Sequence, residues 1–324
     1  MPSDPESTAR PLGQGDQTRP RRVVSVSLGS SVGDKSVETA FLGQPFVIER
    51  RGTDGDKRRF QALLAELDGK VDAIGLGGTD LYVFSGGRRY TMRDTRRLAS
   101  AARVTPVVDG SGLKNTLERE TVRTLDREGV VRFKDKRVLL VCGVDRFGMA
   151  EALRETGCDL VIGDLMFGLG LGIPIHSWRL YLALAAAVLP VISWLPIEVL
   201  YPTGDKQRQI LPKFRKWYEW ADVIAGDCHY IRRHMPPPEG KPFRGKTILT
   251  TTSTQAHVEE FRERGAELLV TTTPELDGRS FGTNVMEGVL LSLSGKRPEE
   301  VTPQDYLDVL KRLNSRPRIQ RLQE

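Results

Sequence analysis

Residues 138–164, VLLVCGVDRFGMAEALRETGCDLVIGD, hold side chains and glycines at spacings that could do chemistry. Gly143 ends an apolar strand and Gly148 opens a helix on which Phe147, Ala150 and Leu153 recur every three residues. Gly157 closes that helix, and Asp164 ends the next strand 21 residues after Gly143. This is the order of a dinucleotide-binding βαβ half. Glycines let a pyrophosphate approach the helix N-terminus, and a carboxylate about 20 residues on accepts the ribose hydroxyls and disfavours a 2′-phosphate. The unit therefore predicts NAD, bound through Gly143, Asp145, Gly148 and Asp164. Asp145, however, stands where a glycine is usual. A carboxylate there is expected to cap the helix itself and to repel the pyrophosphate. The competing expectation is a Rossmann sheet with a degenerate turn.

Other chemistry-bearing stretches fall at predicted strand ends, the edge where open α/β sheets bind ligands. YPTGDKQ (201–207) offers Lys206 in a loop that is either a turn or a substrate clasp. DCHY (227–230) places Cys228 and His229 where they could face a nicotinamide. No second histidine or cysteine, His234 included, lies at a persuasive ligand spacing, so no metal is predicted. TTTST and TTTP are explained by capping and β propensity. LGSSVGDKS (28–36) imitates a phosphate loop, but Asp34 separates Gly33 from Lys35, so it reads as a Gly/Ser turn.

Residues 271–298, TTTPELDGRSFGTNVMEGVLLSLSGKRP, resemble the end of shikimate and quinate dehydrogenases, and the chain is similar to sequences labelled quinate 5-dehydrogenase. There a strand leads through a Gly-containing loop into a helix that carries an amide, here Asn284, and closes near a Gly, a basic residue and a Pro. The resemblance covers 138–164 and 271–298, and the remainder in outline. It implies an amino-terminal substrate domain, a nucleotide domain, and terminal helices returning to the first. It implies hydride transfer between a nicotinamide and a hydroxyl or carbonyl substrate. Two departures stand out: the family's NVTxPxK stretch with its catalytic lysine is absent, and Glu287 sits where a glutamine is usual. Lys114, in VVDGSGLKNT, is the surrogate, with Asp80 or Asp109 holding it charged and oriented; burial lowers a lysine pKa and a nearby carboxylate raises it. The bland alternative for Lys114 is a solvated residue in a first helical turn.

These residues need an α/β scaffold, and the pattern supplies one. Strands are expected at 23–29, 44–49, 71–78 and 104–110 and helices at 57–69 and 113–129; then come strands around 134–140, 221–227, 246–254 and 266–276, with a helix at 255–265. Helices at 284–295 and 302–313 follow, the second opened by Thr302 and a Pro. The expected fold is a small amino-terminal α/β domain followed by a Rossmann-like, mostly parallel, doubly wound sheet with terminal helices. The divisions are a disordered tail at 1–21, a substrate-like domain at 22–130, a nucleotide-binding domain at 131–290, and a helix with a basic tail at 291–324.

Residues 180–197, LYLALAAAVLPVISWLPI, carry no charge. They reach the length of a membrane span, but Pro190 and Pro196 would break its backbone ladder, so no span is predicted. The segment reads as a buried helix with a bent connection, at a subunit contact of a homo-oligomer, or as an exposed lid meeting a membrane surface or an acyl chain.

A chain of 324 residues with 39% apolar content can form two cored domains. Three cysteines without a CxxC pair argue against a disulfide or zinc scaffold and for the cytoplasm. A net charge of +6, without aromatics interleaved among the basic clusters, argues against nucleic acid as a partner. The leading expectation is an NAD(P)-dependent oxidoreductase acting on a small molecule. The alternatives are a non-redox ligand-binding or regulatory protein on a Rossmann scaffold, and an acyl-chain reductase.

Overall fold

A computed structural model describes residues 19–197, 210–273, 275–276 and 279–323. They form two α/β lobes. The first lobe contains β1 (Arg21–Ser27), β2 (Lys35–Phe41), β3 (Gln44–Gly52), α1 (Lys57–Leu67), β4 (Ala73–Gly77), the hairpin β5 (Tyr82–Ser85) and β6 (Arg88–Thr91), α2 (Arg93–Ala99), β7 (Val107–Val108) and α3 (Ser111–Arg127). Its sheet has the order β2-β3-β1-β4-β7, parallel except for the edge strand β2.

The second lobe contains β8 (Arg137–Leu140), α4 (Phe147–Glu155), β9 (Asp159–Ile162), α5 (Trp178–Ile192), α6 (Arg215–Trp220), β10 (Val223–Ala225), α7 (Cys228–His234), β11 (Thr247–Thr250), α8 (Gln255–Glu263) and β12 (Leu268–Thr271). A short hairpin of β13 (Glu275–Leu276) and β14 (Arg279–Ser280) leads to α9 (Thr283–Ser294), α10 (Pro303–Arg312) and β15 (Arg318–Arg321). The second sheet runs β15-β12-β11-β10-β8-β9, parallel except for β15. This is the Rossmann-like, doubly wound α/β arrangement expected from the sequence.

The inner strands β1, β4, β8, β10, β11 and β12 are near-continuous buried runs because both faces are covered. In β8, Val138 and Leu140 face one core with Met149 and Leu153 of α4, while Leu139 faces the other with Tyr218, Phe243 and Phe261. In the first lobe, Val24 and Val26 pack on Phe60 and Leu64 of α1, and Val23 packs on Val285, Met286 and Val289 of α9. Helix α9 runs through the division drawn at residue 290 and packs on β1 and β4. Helix α3 belongs to both lobes: Leu113 and Leu117 enter the first core, Val122 and Leu125 the second.

Four elements depart from the sequence reading. KSVETAF is a strand, β2, and YVFS with RRYT makes the β5–β6 hairpin. RIQR is an edge strand of the second sheet rather than part of a basic tail. Segment 180–197 is not a buried helix. Only Tyr181, Ala185 and Leu189 of α5 are buried, one stripe at i, i+4 and i+8, and its opposite face lies in solvent. No helix among the described residues is long and apolar enough to cross a membrane.

Candidate functional site

The carboxyl ends of both sheets meet at one cleft of about 440 Å³. The first lobe contributes Ser27 to Gly29 after β1, Arg50 on β3, Gly77 to Asp80 after β4 and Asp109 after β7. The second contributes Asp145 and Arg146 after β8, Asp227, His229 and Tyr230 after β10, Arg233 on α7, and Thr251 and Thr252 after β11. Lys114 of α3 and Asn284 of α9 line it too. Parallel strands pointing the same way bring their following loops together, which is why ligand sites gather at this edge.

One wall of the cleft is an ion network. Lys114 Nζ donates to Asp145 Oδ1 at 2.7 Å and to Asp80 Oδ1 at 3.3 Å. Arg146 donates to Glu118 at 2.7 Å and to Asp227 at 2.6 Å, and its Nε lies 3.2 Å from Asp145. The network thus ties α3 of the first lobe to the β8 and β10 loops of the second. Burial would lower the Lys114 pKa, but Asp145 and Asp80 overcome it and raise the pKa above the ordinary lysine value. Lys114 is therefore a fixed ammonium that donates and orients, not a base. Burial would raise Asp145, but Arg146 and Lys114 hold it well below the usual carboxylate range. Glu118, in contrast, is pushed up to about 7 by burial, against Arg146 and Lys114. Its Oε2 has no hydrogen-bond partner among the described residues.

The sequence paired Lys114 with Asp80 or Asp109, and the structure brings Asp80 to it. Asp109 lines the cleft, but its carboxylate accepts from the N–H groups of Leu81, Tyr82 and Ser111 and from the Ser111 hydroxyl. It bonds the chain, not Lys114.

The β8–α4 turn differs from the sequence reading in three ways. Asp145 does not cap α4: the residue at the N-cap is Arg146, without a side-chain cap bond, and Asp145 faces Lys114 and Arg146 instead. Asp164 does not stand open for a ribose. Its oxygens accept from the N–H groups of Gly143 at 2.8 Å and Val144 at 2.9 Å, locking the turn to β9. Gly148 is required by α3, not by a ligand, since a Cβ there would lie 2.1 Å from the Asn115 carbonyl oxygen. Phe147, beside it, stacks on Tyr181 and Trp178 of α5.

A pyrophosphate needs free N–H groups and room above the helix N-terminus. Two of the turn's N–H groups are engaged by Asp164, the space between the turn, α3 and the β5 strand is about 10 Å³, room for one water, and on the side that borders the 440 Å³ cleft the carboxylate of Asp145 stands where the phosphates would lie. The residues present at this turn do not fit the pyrophosphate of NAD.

The remaining candidates divide. His229 lies at the cleft, its ring edge-on to His257 at 5.7 Å. Cys228 turns away from the cleft into the core, 3.4 Å from His257 Nδ1, and burial raises its pKa. Burial, with Arg232 and His229 nearby, lowers His257 to about 4, so it is neutral at pH 7. Asn284 donates to Ser25 at 2.8 Å from the start of α9. Glu287 is not a pocket residue. It accepts from the N–H groups of Gly110 at 2.6 Å and Leu113 at 3.2 Å and from the Tyr306 hydroxyl at 2.8 Å. It supplies the cap that Gly110, at φ +89, cannot supply to α3. Burial first, then Asp109, raises Glu287 to about 7. Lys206 and the 201–207 loop lie outside the described residues.

Sequence reasoning missed Arg50, Glu118, Arg146 and Arg233. Glu118 had a signal: it follows Lys114 by four residues and precedes Val122 and Leu125 by four and seven, so it shares the buried face of α3.

No curated protein matches the sequence. Among solved structures, hetero-hexameric glutamate dehydrogenase from Thermus thermophilus superposes with a TM-score of 0.42 at 14% identity, over 91% of this chain and 74% of that one. The periplasmic ribose ABC transporter protein of Conexibacter woesei gives 0.41 at 9% identity, over 92% and 97%. The NAD-dependent malic enzyme of Thermotoga maritima gives 0.36 at 12%, over 91% and 85%. Residues 22–109 match the family described as Domain of unknown function (DUF8753). Residues 112–322, the greater part of the chain, match Domain of unknown function (DUF8754), and the chain belongs to that family.

Proposed function

We propose that this protein binds a small, anionic, hydroxyl-bearing metabolite between its lobes, without a dinucleotide seated at the β8–α4 turn. One observation carries the reading: Arg50 of the first lobe and Arg233 of the second line the same cleft. The cleft is of ordinary ligand-site size. Arg50 is held in place by the Ser30 carbonyl and Asp34, both 2.9 Å from Nη1. Two guanidiniums suit a carboxylate or phosphate. Asp80, Asn284, Thr251 and Thr252 offer both donors and acceptors for hydroxyls, and Lys114 is a fixed donor among them. The test is calorimetric titration with a panel of hydroxy-carboxylates and sugar phosphates, together with native mass spectrometry of the purified protein. Binding that falls at least ~tenfold in both Arg50→Gln and Arg233→Gln supports the reading. Binding indifferent to both changes, or silence across the panel, refutes it.

A second reading, an oxidoreductase of the shikimate and quinate dehydrogenase type, is favoured by the Lys114–Asp80 pair at the cleft, where that family places a lysine on the substrate. Here Lys114 would hold a substrate hydroxyl in place as a donor. Quinate- or shikimate-dependent reduction of NAD or NADP, lost in Lys114→Arg, would establish it, and with it a dinucleotide seat other than the β8–α4 turn. Its absence at high substrate leaves the first reading standing alone.

A further inference from the structure

The solvent face of α5 is an apolar surface that the cleft does not use. On a helix of 3.6 residues per turn, Leu180, Ala183, Ala187, Pro190 and Val191 lie opposite the buried stripe of Tyr181, Ala185 and Leu189, and Trp194 continues the face just beyond the helix. Leu180, Val191 and Trp194 are 50%, 65% and 68% exposed. An ordinary surface helix would place charges here. This one places a single charge, Arg179, in its first turn.

What borders the face indicates what covers it. α5 seats its buried stripe on Val83 and Met92, and Leu182 touches the tip of the β5–β6 hairpin at Gly86. That hairpin and α2 carry Arg88, Arg89, Arg93, Arg96 and Arg97, all exposed, in a stretch whose one acid, Asp94, is paired with Lys57. The five arginines make no ion pair among the described residues. Arg93 stacks on Trp194 at 4.0 Å, joining the basic rim to the apolar face.

We infer that this face docks on an anionic membrane surface, with α5 lying in the plane of the interface, Trp194 at headgroup level and the arginines on lipid phosphates. An apolar helix face with aromatic and basic flanks is the signature of such peripheral binding. A second copy is disfavoured by charge: a two-fold contact through α5 would set one arginine rim against the other.

The experiment is vesicle flotation of the full chain. Vesicles are phosphatidylcholine alone, or with phosphatidylglycerol as about a third of the lipid. The protein should float with the anionic vesicles, stay behind with the neutral ones, and be released by high salt. Val191→Ser with Trp194→Ser should cut binding at least ~tenfold, and so should Arg96→Gln with Arg97→Gln. Because these side chains are exposed, thermal unfolding of both variants should match the wild type. A protein that never floats overturns the inference, as does a double variant at 191 and 194 that floats normally. Sedimentation velocity supplies a third arm: a dimer that dissociates in that variant would make the face a contact between copies. Binding to polyglutamate that ignores residues 191 and 194 would make the arginines an acidic-protein site, which also overturns it.

Discussion

Replacing Glu118 by Gln should change how stability depends on pH, by an amount the structure sets. Glu118 is fully buried between α3 and the β8 loop. Its Oε1 accepts from Arg146 and its Oε2 from no donor among the described residues. Burial raises its pKa from the ordinary 4.5 to about 7. A carboxyl whose folded pKa lies above its unfolded one contributes stability that is fully present below the unfolded value and is lost as pH rises through the folded one. Carrying the group from 4.5 to about 7 is worth about 3 kcal/mol in total. Roughly 1.4 kcal/mol of this is already lost at about pH 5.5 and nearly all at about pH 8.5. Glutamine keeps the acceptor for Arg146 and does not ionise. The variant should therefore gain on the wild type by about 2 kcal/mol between those two pH values. Glu287, also raised to about 7, is common to both proteins and cancels in the difference. Urea unfolding of both chains across this range measures it. A gap that stays constant, or moves against the variant, would show Glu118 ionised throughout, with Arg146 outweighing burial.

Gly148→Ala would press a Cβ onto the Asn115 carbonyl, and backbone cannot yield as a side chain can; a loss of about 2–3 kcal/mol is expected in thermal unfolding, and an unchanged Tm would refute the packing account. Lys114→Met removes the cation that Asp80 and Asp145 share while Arg146 still faces Asp145, so it should cost about 3 kcal/mol, the lower end for a broken buried pair. Denaturant unfolding checks this, and a smaller loss would mean that solvent screens the pair. Asp164→Ala orphans the N–H groups of Gly143 and Val144, at about 1–3 kcal/mol each, and should not alter calorimetry with NAD. Tight NAD binding that disappears in this variant would return the carboxylate to a ribose.

Periodicity made both parallel sheets legible because their strands are buried on both faces and read as Val/Ile/Leu runs. It failed on β2, β6 and β15, where strands at an edge or in an exposed hairpin carry polar residues: KSVETAF, RRYT and RIQR look like loop or tail until a partner strand is known. Segment 180–197 misled for the opposite reason. Hydrophobicity reports what a helix could bury, and α5 buries a single stripe. At the site, Lys114 and Asp80 could be paired from their positions at strand ends, but Asp145 and Asp164 could not be assigned partners. Their spacing from Gly143 is that of a nucleotide turn, and only the fold shows α3 standing over that turn with Lys114 and Glu118. Arg50 and Arg233 are single arginines among 48 basic residues, and no local pattern separates them from solvated ones.

The path of the chain between the lobes bears on how it is made by the ribosome. The first lobe's core needs Val285, Met286, Val289, Tyr306 and Leu310, while the second sheet needs β15 along its edge and Leu322 in its core. Neither lobe has its full complement of strands and helices until residues 281–322 have been synthesised, although β1 emerges well before them. The usual sequence, in which an amino-terminal domain folds while the rest is being translated, is closed to this protein. The nascent chain must hold a first sheet with one apolar face bare and a second sheet without its edge strand, and that is the state in which a chaperone would meet it.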